Sequence, residues 1–162
     1  MADRYLFKAK RLDWREFPEK EQWIIGYYVL GFDVYEQPVH LIFEPTSMFF
    51  SHGETDGWTE IDPSTICQCT GLKDKNGKLI WENDILDGFT YPYMSDGAHN
   101  YYAEVCWCSN VPAFGIYTQK YPKSKVSGIS AGMTEIMGDW NSNDWEVIGN
   151  IFDNPKLLES EG

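Results

Sequence analysis

Residues 66–81 constrain the fold of this chain more than any other stretch. Ile66-Cys-Gln-Cys-Thr-Gly-Leu72 and Leu79-Ile-Trp81 flank the polar segment Lys73-Asp-Lys-Asn-Gly-Lys78. An Asn-Gly pair between two β-rich runs is a strong short-range hairpin signal. It predicts that residues 66–72 and 78–81 pair antiparallel across residues 74–77. Asn76 and Gly77 are then expected to take the two positive-φ positions of a type I′ turn. Leu72, Ile80 and Ile85 are expected to be buried, and Lys73, Lys75 and Lys78 to stay in water. Such a hairpin needs further strands to cover its apolar face, so the rest of the chain is read outward from it.

The flanking sequence supplies those strands. Residues 4–12 alternate, with Tyr5, Phe7 and Ala9 on one face and Lys8 and Lys10 on the other. Trp23-Ile-Ile-Gly-Tyr-Tyr-Val-Leu30 has the β-branched and aromatic composition of a strand buried on both faces. Shorter strands are expected at 39–43 and 47–50, then a polar loop at 51–57 and a turn at Ile61-Asp-Pro-Ser-Thr65. Glu82-Asn-Asp84 reads as a tight turn, with Asn83 suited to a left-handed backbone. Residues 101–108 and 113–118 form a further pair, and 145–152 a last strand. Asn154-Pro155 opens one short helical turn over 156–159, with proline at its favoured first position. Helical periodicity is scarce throughout. The expected fold is mainly β, a barrel or sandwich of short antiparallel strands with one short C-terminal helical turn. It forms a single domain over residues 1–162, with long loops or insertions at about 87–100 and 119–132.

Composition narrows the class. The 162 residues include 7 Trp, 10 Tyr and 9 Phe, against 23% charged residues, which excludes disorder and coiled coil. No apolar run approaches the ~20 residues that a membrane helix needs. Met-Ala-Asp-Arg-Tyr at the start has the look of no export signal, so reduced thiols are expected. The net charge of −12 repels phosphate backbones unless a local basic patch overrides it.

Three stretches share an order with a known family. They are Phe7-Lys-Ala9 with Trp23-Ile-Ile-Gly26; the block from Ile61 to Leu86 with its Thr70-Gly-Leu-Lys-Asp74, Asn76-Gly77, Ile80 and Glu82-Asn-Asp-Ile85; and Glu146-Val-Ile-Gly-Asn150 running into Asn154-Pro-Lys-Leu-Leu158. In these the chain resembles the YopX family of bacteriophage and prophage proteins. The resemblance implies a β-rich fold peculiar to that family and a place in the host bacterial cytoplasm. It implies no enzymatic activity, cofactor or site residue. Two departures stand out: the family usually has Gly where Asn83 stands, and Gly and an aromatic where Cys67 and Cys69 stand.

Candidate chemistry is thin. Asp74, Glu82 and Asp84 are the carboxylates that an alternative reading makes a divalent-metal or acid/base cluster of a hydrolase or nuclease. The plainer account is that all three cap their own turns. Cys67/Cys69 and Cys106/Cys108 are Cys-x-Cys pairs whose sulfurs share a strand face, and neighbouring strands would be needed to gather a four-thiolate zinc site. Ordinary packing is the expectation for them. Residues 139–144 imitate a calcium loop but lack its sixth-position glycine and its twelfth-position glutamate. His40, His52 and His99 are dispersed and have no nucleophile motif beside them; His40 reads as a partly covered structural histidine. Basic residues concentrate at Arg4, Lys10 and Arg11 and at Lys120, Lys123 and Lys125, the latter near Tyr117 and Tyr121, where they read as solvated.

The aromatic surplus exceeds what a small domain buries, so exposed rings are expected at an interface. The expectation is therefore a non-enzymatic module that assembles with itself or with a host protein. No cofactor, nucleic acid or membrane partner is expected. A hydrolase or nuclease built on Asp74, Glu82 and Asp84, and an acidic mimic of nucleic acid, are the alternatives.

Overall fold

A computed structural model describes residues 2–44, 57–88, 101–110, 112–120, 134–137 and 145–159. Its strands are β1 (Phe7–Lys10), β2 (Trp23–Phe32), β3 (Pro38–Phe43), β4 (Trp58–Glu60), β5 (Cys67–Lys73), β6 (Leu79–Trp81), β7 (Asp84–Gly88), β8 (Tyr101–Cys108), β9 (Ala113–Lys120), β10 (Thr134–Ile136) and β11 (Trp145–Asn150). They form two antiparallel sheets, neither closed into a barrel. The helical segments among the described residues are single 3₁₀ turns, the last being Pro155–Leu157 with its proline in the first turn. The chain divides into two compact units, Met1–Cys69 and Thr70–Gly162. No helix among the described residues is long and apolar enough to cross a membrane.

Several expected features fall elsewhere. Residues 87–88 belong to β7 and 119–120 to β9, at the edges of the loops expected at about 87–100 and 119–132. The remainder of those loops, the strand at 47–50, the polar loop at 51–56 and the acidic turn at 139–144 lie outside the described residues. So do His52, His99, Lys123 and Lys125.

One sheet has the order β4-β3-β2-β1-β5-β6, and the first unit holds its strands as far as Cys69 in β5. Ala9, Ile24, Ile42 and Ile61 form its core, with Phe7, Tyr28 and Ile66 packed against them. Strand alternation puts these side chains on one face, since Ala9 stands opposite Ile24 and Tyr28 opposite Ile42. Gly26 permits a close approach at the centre of this sheet. A Cβ there would collide with the carbonyl oxygen of Phe43. The 3₁₀ turn Pro63–Thr65 is capped by Asp62, whose carboxylate accepts from the Ser64 amide at 3.0 Å and its hydroxyl at 2.6 Å.

Two expectations for this unit are corrected. Tyr5 lies in a 3₁₀ turn, Ala2–Tyr5, and is 72% exposed rather than aligned with Phe7 and Ala9. Lys10, on the strand face opposite Ala9, is buried as well. Its Nζ donates to Gln22 Oε1 at 3.1 Å and lies 3.9 Å from the centre of the Trp14 ring. Aromatic faces attract a cation, and the long stem packs as hydrocarbon, so burial here is compensated. The other correction concerns β2: Ile25, Tyr27 and Val29 are exposed on one face, and Leu30 and Phe32 are exposed on the face that Ile24 and Tyr28 help to bury.

The second unit begins at Thr70 within β5 and contains the hairpin turn, β6 and the sheet β10-β9-β8-β7-β11. Its core is Ile80, Leu86, Ala103, Val105, Ile116, Met137, Trp145 and Val147, with Leu72 and Phe114 packed against it. β5 leads through Asp74–Lys78 into β6, as the sequence predicts, and Gly77 has φ = +80°. Ile80 and Ile85 are fully buried, Leu72 is half-buried, and Lys73, Lys75 and Lys78 are exposed. The turn type differs from expectation. Glu36 and Asn83 are the non-glycine residues at positive φ among those described, so Asn76 is not in the left-handed region. The Gly77 amide donates to the Asp74 carbonyl at 2.9 Å, and the Asp74 amide donates to the Lys78 carbonyl at 2.8 Å. This is a type I turn followed by a left-handed glycine, the three-residue hairpin loop. Asp at the first and Gly at the fourth turn position favour it. Asn83, at φ = +65°, does occupy the left-handed position read from the sequence.

Candidate functional site

Asp74 is a hub of backbone hydrogen bonds. One carboxylate oxygen accepts from the Asn76 and Lys78 amides, both at 2.9 Å, and the other from the Val147 amide at 3.0 Å. The side chain therefore shapes its own turn and ties β11 to it. Burial alone would raise the Asp74 carboxyl, yet the Val147, Lys78 and Asn76 amides together hold it below the ordinary carboxylate value. The neighbouring Lys75 amide donates to the Trp145 carbonyl at 2.9 Å, and its ammonium pairs with Glu146.

Asp84, also buried, accepts from the Trp81 amide at 2.9 Å and closes the turn between β6 and β7. Asn83 between them donates its amide to the Val105 carbonyl at 2.7 Å and accepts from the Ile151 amide at 3.0 Å. Glu82 is half-buried at the same turn. The three sequence candidates thus occupy two successive turns. Among the described residues no group of three or more His, Cys, Asp and Glu side chains is arranged to hold a metal ion.

The histidine and cysteines have local roles. Tyr28 Oη and His40 Nδ1 share a hydrogen bond of 2.8 Å, with the rings stacked 5.9 Å apart. Cys67 and Cys69 are fully buried in β5, and Cys67 Sγ donates to the Thr65 carbonyl at 3.3 Å. Cys106 and Cys108 are half-buried in β8, a strand of the other sheet. Burial, with Cys108, Glu104 and Glu82 adding to it, pushes the Cys106 thiol up to about 11. Burial also raises the Glu104 carboxyl.

The most prominent exposed feature among the described residues is the tip of the β2–β3 hairpin, which none of the strand and turn motifs read from the sequence singles out. Residues 33–37 form an ordered loop. Asp33 Oδ1 accepts from the Tyr35 and Gln37 amides, both at 2.8 Å, while the Asp33 amide donates to the Gln37 carbonyl at 2.9 Å. This loop holds Val34 90% and Tyr35 79% exposed, beside Phe32 at 69%. Ile25, Tyr27 and Val29 are exposed on one face of β2, which Trp58 on β4 shares, and Leu30 joins Phe32 on the other. The signal available in the sequence was Phe32-Asp-Val-Tyr35, which places apolar residues around a turn-forming aspartate.

These observations define a class, a mainly β protein of two antiparallel sheets whose shared acidic motif stabilises turns. The chain belongs to the YopX family: the family model described as YopX protein matches residues 46–159. That match takes in the hairpin, Asp74, Asp84 and the final strand. Among solved structures, the chain is similar to protein EF1440 from Enterococcus faecalis, with 20% sequence identity, coverage of 96% of this chain and 97% of that one, and a TM-score of 0.42. No match is found among curated proteins.

Proposed function

We propose that this chain is a non-enzymatic accessory protein of phage or prophage origin that binds a protein partner through the tip and exposed face of the β2–β3 hairpin. The observation that carries this reading is an ordered loop presenting Val34 and Tyr35 to water. Apolar side chains on a pre-shaped loop bind with less ordering cost than a flexible segment does. Burying one exposed large apolar side chain on docking is worth about 1.5–3 kcal/mol of gross hydrophobic gain. Self-association is the first case to measure, because it requires no second component. Light scattering across micromolar concentrations should show an oligomer that Val34→Asp with Tyr35→Asp reduces to a folded monomer. If the wild type stays monomeric throughout, self-assembly is abandoned. The remaining case is then a host protein retained on the immobilised wild type and lost on the double variant. Equal retention on both would end the hairpin reading.

A further inference from the structure

A second feature, independent of the hairpin tip, lies on β8. Cys106 and Cys108 stand two residues apart in an extended strand, so their side chains leave the same face. Glu104, two residues earlier, continues that row. The opposite face of β8 carries the core residues Ala103 and Val105. Across the strand pair, Cys106 stands opposite Gly115 and Cys108 opposite Ala113, two residues with little or no side chain. Neither thiol is walled in by a bulky cross-strand partner, and both are half-buried.

A disulfide does not suit this arrangement. Equivalent atoms of residues i and i+2 in a strand lie about 6.6 Å apart, whereas a disulfide wants its Cβ atoms within about 3.5–4.5 Å. Oxidation would have to buckle a strand that pairs with β9 through Cys106 and Cys108. Two sulfurs joined through a single ion need less closure: with metal–sulfur bonds of about 2.3 Å, the length zinc thiolates show, a linear bridge spans about 4.6 Å. Rotation about the two Cα–Cβ bonds covers the difference. A tetrahedral zinc centre would need more donors than this, and no such group is arranged among the described residues. Soft monovalent ions favour thiolates and accept few ligands.

We propose that Cys106 and Cys108 form a two-thiolate site for one monovalent soft metal ion of the copper(I) class. Binding converts two thiols and M⁺ into an S–M–S bridge carrying one negative charge and releases two protons, with no change of oxidation state. The fully buried Cys67 and Cys69 serve as an internal control, since the folded chain shields them.

The test is competition for Cu(I), kept reduced by ascorbate, between the folded protein and the chromophoric chelator bicinchoninate. The wild type and Cys69→Ala should each withdraw one Cu(I) per chain, and Cys106→Ala and Cys108→Ala none, with circular dichroism confirming that each variant is folded. Should a variant fail to fold, iodoacetamide labelling of the folded wild type answers the same question by mass spectrometry. At free Cu(I) about ten times the dissociation constant, labelling of Cys106 and Cys108 together should slow about tenfold. Withdrawal that survives loss of either cysteine, no withdrawal by the wild type, or protection of only one of the two overturns the site.

Discussion

Asp74 shows how a carboxylate that looks like chemistry can belong to the fold. Its oxygens accept from three amides that come from its own turn and from β11. Truncation by Asp74→Ala leaves those donors without their acceptor and should cost about 3 kcal/mol in urea unfolding. Because the folded carboxyl is held below its ordinary value, it adds stability above the unfolded carboxyl's pKa near 3.9 and loses it as pH falls through the folded value. Stability measured against pH should therefore drop below about pH 4 in the wild type, and less steeply in Asp74→Asn. Gly77 is the complementary case. A Cβ placed there meets nothing within 4 Å, yet φ is +80°. Gly77→Val should thus lower stability by about 1–2 kcal/mol through the backbone alone. A melting temperature unchanged by that substitution would contradict the left-handed assignment.

At the scale of elements, β2 and β3 bring their backbones together where Gly26 faces the Phe43 carbonyl. Gly26→Ala has no room to relax by moving a side chain, because the obstructing atom is main chain. The strands must part, and the substitution should cost about 3 kcal/mol, read by thermal or urea denaturation. The bulge between Val147 and Gly149 in β11 shows a related fit: a Cβ on Gly149 would come within 2.5 Å of Asn154 Oδ1. Thus Gly149 makes room for the residue that precedes the final 3₁₀ turn. The hairpin at 74–77 was legible because its signals are local and sit within five residues. Its turn type was less so, since Asn-Gly suits a type I′ turn equally well and the choice fell to Asp74 and its bonds to the Lys78 and Val147 amides. The three-residue strands β4 and β10 carry no periodicity of their own; their partners, Leu41–Phe43 and Gly115–Tyr117, define them.

For the whole molecule, the contrast lies between a metal-dependent enzyme and a binding module. The turn carboxylates Asp74 and Asp84 already accept from backbone amides, and this engagement bears directly on how the protein should respond to ions. Melting with added Mg²⁺, Mn²⁺ or Ca²⁺ should leave the midpoint where sodium at equal ionic strength leaves it. A specific rise with any of the three would revive a site at Asp74, Glu82 and Asp84, because an ion bound only by the native state stabilises it by linkage. The net charge of −12 gives sodium itself an effect, since screening reduces self-repulsion and should raise the midpoint from low to physiological ionic strength.

What the sequence determined by itself is what adjacent residues decide: the β-rich class, the position of the 66–81 hairpin, left-handed Asn83, and the proline-led final turn. Each follows from steric preference or from hydrogen bonds that reach only a few residues along the chain. Tertiary structure decided the rest. Lys10 is buried because Trp14 and Gln22 come back over it, and Ile25, Tyr27 and Val29 are exposed although their composition reads as core. Period-two alternation says which residues share a face of a strand; only the assembled chain says which face is covered.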